Sequence, residues 1–243
     1  SEFSSMSELP VFEYGCDSSY SWSPRFKRLA KDYTADQIVD ELVRLGKEEL
    51  GLYMDQRTDY DLLVPWRHLN TDMPAQLCFT GVKPMLYQEA MNEICNNLYE
   101  RSICPPQITI ETNATIPMTN LNIKLTTQHL HISCSPKLYS VSGEKNGVDY
   151  GVIAQYTNEA DSGALKFVHN GSDEAWEELD SHTKTLKGLT RGEPWQFWIM
   201  PVGSVLESQN PEFLGKIATE ALKRGFWISH RTHISVFGNK IGT

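Results

Sequence analysis

The sequence predicts an α/β fold with a mostly parallel sheet, and three observations predict it. Short apolar runs alternate with amphipathic segments along the chain, no tract is of low complexity, and the most suggestive polar clusters fall just after the apolar runs. Strand–helix–strand repetition implies βα units and parallel pairing. Right-handed crossovers curl such units into a barrel or an open wound sheet, and periodicity alone does not separate the two. In either, ligands gather at the carboxyl ends of the strands.

The elements follow in order. Thr34 to Lys47 predicts a helix, because Thr34 and Gln37 form a capping-box pattern and Ile38, Leu42 and Leu45 keep helical spacing. Ala75 to Thr80 is a short apolar run closed by Gly81, hence a strand and turn. Met85 to Tyr99 is helical by periodicity. Gln107 to Thr112, His129 to Cys134 and Ala164 to Val168 read as strands. Ser172 to Leu179 predicts a short acidic helix capped by Ser172. Trp195 to Val202 reads as an apolar strand, Pro211 to Arg224 as a helix ended by Gly225, and Phe226 to His230 as a last strand.

At 243 residues the chain fits one large domain, or at most two. A single domain over 6–243 is expected, with Ser1 to Ser5 read as a cloning remnant before Met6. Hydrophobic residues make up 40%, enough for a real core. A formal charge of −9 argues against duplex nucleic acid as the main partner, since phosphate binding needs clustered cations. No run approaches the roughly 18 apolar residues that cross a bilayer, and no secretory signal is visible. Five cysteines, odd in number and irregularly spaced, argue against a secreted disulfide framework, so a reducing cytoplasm is expected. Four of them sit in or beside apolar runs and read as buried thiols.

Glu111-Thr112-Asn113-Ala114-Thr115 ends a strand with a carboxylate, an amide and hydroxyls, which suit a ribose or heterocycle edge, or simply a capped turn. Ser133-Cys134-Ser135-Pro136-Lys137 offers a hydroxyl and an ammonium to a carboxylate or ribose, or is a Ser-Pro turn with a surface lysine. Thr80-Gly81-Val82-Lys83-Pro84 lacks the Gly-x-Gly spacing of a phosphate cradle. His129 and His131 share one strand face, as a metal site could require. No cysteine or carboxylate completes a recognised set with them or with His230 and His233, so hydrogen-bonding roles are expected.

Taken in order, Cys16-Asp17-Ser18-Ser19-Tyr20-Ser21-Trp22, Phe79-Thr80-Gly81-Val82-Lys83-Pro84-Met85-Leu86, Ile110 to Pro117, Cys134-Ser135-Pro136-Lys137-Leu138, Leu165-Lys166-Phe167-Val168, Ile199 to Gly203 and Arg231 to Lys240 resemble the landmarks of the 7-carboxy-7-deazaguanine synthase family of radical S-adenosylmethionine (SAM) enzymes. The resemblance runs from Val11 to near the end. It implies a partial (βα) barrel of radical SAM type, commonly a homodimer. It also implies conversion of 6-carboxy-5,6,7,8-tetrahydropterin to 7-carboxy-7-deazaguanine with loss of ammonia, on a route to queuosine and other deazapurines. The implied cofactors are a [4Fe–4S] cluster, SAM and Mg²⁺. By position, Cys16 corresponds to a cluster thiolate and Ser18 to an Mg²⁺ ligand. Gly81, Thr112, Asn113, Ser135 and Lys137 correspond to SAM-side strips, and Glu111 and His233 to substrate contacts. No catalytic side chain is assigned.

The departures converge on the cluster. Three thiolates are required, and the positions expected before Cys16 hold Glu13 and Leu9. The family's G-G-E-P strip reads Gly81-Val82-Lys83-Pro84, and its Q-G-E-G loop is absent. Either the protein is a catalytically dead relative that keeps the barrel for ligand or partner binding, or the sequence joins, at Tyr14–Gly15 and Gly81–Val82, stretches that the natural polypeptide separates by a cluster loop and a Gly-Glu-Pro strip.

Overall fold

The computed structural model describes residues 31–56, 64–81, 83–190, 195–203 and 206–237. Its frame is a six-stranded sheet, β3 (Leu77–Phe79), β4 (Gln107–Thr112), β5 (His129–Cys134), β6 (Ser162–His169), β7 (Trp195–Pro201) and β8 (Trp227–Ile228). The strands lie side by side in chain order, and every neighbouring pair is parallel. This order answers the question that periodicity leaves open. Right-handed crossovers that always step the same way put every connection on one face of the sheet, which is barrel winding and not double winding. The sheet is not closed, so the barrel is partial.

Ahead of the sheet stand α1 (Ala35–Glu48) and a two-residue hairpin, β1 (Leu52–Tyr53) with β2 (Arg67–His68). The capping box of α1 is present. The Thr34 hydroxyl accepts from the Gln37 N–H at 3.2 Å, and the Gln37 side chain accepts from the Thr34 N–H at 2.9 Å. Between β3 and β4, a 3₁₀ turn (Pro84–Tyr87) opens α2 (Gln88–Glu100). Between β5 and β6 lie α3 (Tyr139–Ser142) and α4 (Tyr150–Glu159). Then come α5 (Asp173–Leu189), α6 (Pro211–Lys223) and, after β8, α7 (Thr232–Phe237).

Most strand limits fall where the sequence puts them, and the helices correct it. The Ser172 hydroxyl caps α5 as expected, but the helix runs on to Leu189, because Thr183 and Leu186 continue the buried stripe of Ala175, Trp176 and Leu179. The final strand is shorter than expected, two residues only, and α4 is an element that periodicity missed.

One face of the sheet carries the core. Ile108, Ile110, Leu130, Ile132, Leu165, Phe167 and Ile199 are all at most 1% exposed, and they pack with Leu98, Ile153, Tyr156, Leu179 and Ile217 of the helices. Cys95 and Cys134 are buried thiols, whereas Cys78 is exposed. The expectation that Cys78 is buried fails because strand alternation turns it to the other face.

Candidate functional site

That other face is open and polar. Cross-strand register fixes its rows. Cys78, Thr109, His131 and Ser162 lie side by side, then Glu111, Ser133, Ala164 and Gln196, then Lys166, Trp198 and Trp227 nearest the carboxyl ends. Every one of these alternates with a residue buried under the helices, as period-two geometry requires.

Near the amino ends of the strands the open face is closed by its own hydrogen bonds. The Thr109 hydroxyl donates to Gln76 Oε1 at 2.8 Å, and Gln107 Nε2 donates to the same oxygen at 2.6 Å. His129 Nε2 and His131 Nδ1 lie 2.7 and 2.8 Å from Ser162 Oγ. Burial, then the neighbouring His129, holds the His131 imidazole below its usual value, favouring the neutral ring. Both histidines thus take hydrogen-bonding roles.

Toward the carboxyl ends the partners thin out. Glu111 is the centre: its carboxylate accepts from the Thr80 hydroxyl at 2.9 Å on one side and lies 3.8 Å from Lys166 Nζ on the other. Thr80 comes from beyond β3 and Lys166 from β6, so three separate strands bring these groups together. Glu111 remains half exposed, with room for a ligand donor. Cys78 lies near the same charges. Burial raises its thiol to about 11, Glu111 adds to the rise, and Lys166 opposes it. Trp198 and Trp227 stack at 5.6 Å between ring centroids and 30° between planes, with Trp227 56% exposed. They form a flat aromatic surface beside Lys166.

Of the residues singled out from sequence, Glu111, Asn113, Ser135, Lys137 and Gly81 lie at or just beyond the carboxyl ends of β3, β4 and β5. Gly81 adopts φ of +121°, a conformation that suits glycine and lets the chain turn sharply after Thr80. The Asn113 side-chain oxygen accepts from the Thr115 hydroxyl at 2.9 Å. The Ser135 N–H donates to the Thr112 carbonyl at 2.7 Å, tying the two strips together. Among the described residues, Lys137 Nζ has no hydrogen-bond or ion-pair partner. Thr112 is not brought to this group. It is 5% exposed, on the helix-packed face, and its hydroxyl accepts from the Ala114 N–H at 3.2 Å. His233 lies within α7. Cys16 and Ser18 lie outside the described residues, as do Val82 and the Tyr14–Gly15 junction.

Lys166 falls within the Leu165–Val168 landmark without a role assigned to it there, and the tryptophans at 198 and 227 carry no motif. Their signal is register, which appears only when β4, β6, β7 and β8 are aligned. A [4Fe–4S] cluster of the radical SAM kind needs three thiolates. Cys78, Cys95, Cys104 and Cys134 stand on separate elements, and no group of three or more metal-ligating side chains exists among the described residues. The residues described do not fit the cluster. Lys137, Ser135, Asn113 and Glu111 place a cation, a hydroxyl, an amide and a carboxylate at the carboxyl ends of β4 and β5.

No family model and no curated protein matches the chain. Among solved structures, Streptococcus suis SuiB bound to precursor peptide SuiA matches with a TM-score of 0.50 at 10% identity, over 83% of this chain and 43% of that one. The chain thus spans less than half the length of the protein it matches, and the likeness is one of fold. The architecture is an α/β partial barrel, a fold it shares with SuiB.

Proposed function

We propose that this protein is a 7-carboxy-7-deazaguanine synthase of radical SAM type, converting 6-carboxy-5,6,7,8-tetrahydropterin to 7-carboxy-7-deazaguanine with loss of ammonia. The observation that carries the reading is the Thr80–Glu111–Lys166 group at the carboxyl ends of three parallel strands. A carboxylate suits the amino-pyrimidine edge of a pterin, whose two adjacent N–H groups are donors. An ammonium 3.8 Å away orients that carboxylate, and the Trp198–Trp227 surface suits the flat ring of such a substrate.

On the same rim, Ser135, Lys137 and Asn113 hold SAM, which when bound supplies the 5′-deoxyadenosyl group on which this reaction class depends. The chain's own residues bind and orient: Glu111 fixes the pterin edge, Lys166 steadies the Glu111 carboxylate, and the open face keeps both ligands against one wall. Mg²⁺ at Ser18, contact of His233 with substrate, a homodimer and a cytoplasmic setting belong to the same reading. Only Cys16 matches the three thiolates that an iron–sulfur cluster requires. The reading therefore requires the natural polypeptide to carry a cluster loop between Tyr14 and Gly15.

A second reading is favoured by Glu13 and Leu9 standing where thiolates are expected. In it, the protein is a non-catalytic barrel binding the same pterin or nucleoside. The cysteine count of the natural polypeptide separates the two. Anaerobic reconstitution with iron and sulfide gives cluster absorbance and SAM cleavage under the first reading. Under the second, ligand binds and neither signal arises. A chain that binds neither SAM nor the pterin rejects both.

A further inference from the structure

The loop after β5 carries Ser135 and Lys137, and it is held from outside the sheet. It leaves β5 at Cys134 and returns at Tyr150, the start of α4. Its neck is narrow. The Lys137 N–H donates to the Gly147 carbonyl at 2.9 Å, and a Cβ on Gly147 would lie 2.4 Å from the Lys137 carbonyl oxygen, so only glycine fits there.

Just past the neck, the Glu178 carboxylate of α5 accepts three bonds from the loop. The Tyr139 and Ser140 N–H groups donate at 2.7 and 2.8 Å, and the Ser140 hydroxyl at 2.5 Å. One helical turn later, His182 meets the returning end: its Nδ1 lies 2.7 Å from the Tyr150 hydroxyl. His182 Nε2 lies 3.6 Å from Glu178, which links the two attachments. Burial disfavours the Glu178 charge, yet the three donors and His182 outweigh it and keep the carboxyl below its usual value. Glu178 and His182 stand four apart, on one face of α5.

We infer that Glu178 and His182 are positioning residues, which grip both ends of the Tyr139–Tyr150 excursion and so hold Ser135 and Lys137 toward the open face. The inference rests on the reading that this loop contacts SAM. Neither residue touches ligand. They act by removing freedom from a loop whose polar groups must be in place before binding.

The test uses the full chain as wild type, Glu178→Ala, Glu178→Gln and His182→Ala. Backbone hydrogen exchange is followed alongside calorimetric titration with SAM and, separately, with the pterin substrate. In Glu178→Ala, the Tyr139 and Ser140 amides are expected to exchange about tenfold faster or more, with β4–β7 unchanged. The SAM Kd is expected to weaken about tenfold and the pterin Kd to hold. Glu178→Gln, which keeps an acceptor, recovers part of both effects, and His182→Ala loosens the Tyr150 end. Unchanged exchange at Tyr139 and Ser140, or faster exchange with an unchanged SAM Kd, overturns the inference. Equal weakening for SAM and pterin also overturns it, since that marks a global structural role. A wild-type chain that binds no SAM rejects the proposed function, while the exchange data still decide whether α5 grips the loop.

Discussion

On β4, Ile108 and Ile110 are fully buried against the helices, while Gln107, Thr109 and Glu111 between them face the open side. On β6, Leu165 and Phe167 are fully buried, while Ser162 and Lys166 face the open side with Glu111 within reach. The same strands thus present an apolar surface to the helices and a polar one to the open face. A closed (βα) barrel fills its interior with branched apolar side chains. This sheet stays open and its inner face is polar, so the fold rests on the helix side.

Truncation on the two faces should therefore have opposite consequences. Phe167→Ala on the helix face removes a fully buried ring and should cost about 3–5 kcal/mol, read as a lower denaturant midpoint. A loss below about 1 kcal/mol would mean that the helices do not pack as described.

His169 ends β6 on the helix face, packed on Trp176 at 3.8 Å between centroids with the rings tilted by 33°. Burial, and secondarily Arg224, lowers its imidazole from 6.5 to about 4, against an opposing hydrogen bond at Ala175. The folded protein resists a proton that the unfolded chain accepts. The associated stability is complete above about pH 6.5 and is lost as pH falls toward 4. The loss should reach on the order of 3 kcal/mol, and His169→Asn should flatten the stability profile in that window. An unchanged slope would show that His169 is not held neutral.

Gly163→Ala is a smaller test on the same face. An added Cβ would lie 2.5 Å from the Trp195 ring, so the tryptophan must move, at about 1–3 kcal/mol. A smaller effect still is expected at Cys78, which reports charge on the open face. Glu111→Gln should speed alkylation of Cys78 and Lys166→Ala should slow it, each by about two- to threefold. Identical rates would separate Cys78 from the Glu111 group.

Much of the sheet was legible before any coordinates. Gln107–Thr112 and His129–Cys134 alternate apolar and polar residues cleanly, and Thr34 and Ser172 cap helices with side chains that favour that position. The hairpin of β1 and β2 was not legible, because two-residue strands leave no periodicity to read. α4 hid because its buried residues, Val152, Ile153 and Tyr156, sit among Gly151, Thr157 and Asn158, which weaken any helical signal. At the site, Glu111 and Lys137 could be named from strand ends. Thr112, one residue from Glu111, was grouped with it, yet one step along a strand reverses the face. Lys166 falls in a landmark run, but its approach to Glu111, like the tryptophan pair, depends on register between strands far apart in sequence, which no local pattern encodes.

The proposed division of labour gives ligand binding to the open face and stability to the helix face. Its most direct test is calorimetric titration of the full chain with 6-carboxy-5,6,7,8-tetrahydropterin, wild type against Glu111→Gln, with thermal melts of both. The account predicts a saturable heat in wild type, weakened about tenfold or more in Glu111→Gln, with stability changed by less than about 1 kcal/mol. Equal affinity in the two proteins, or a Glu111→Gln chain that no longer folds, would contradict it.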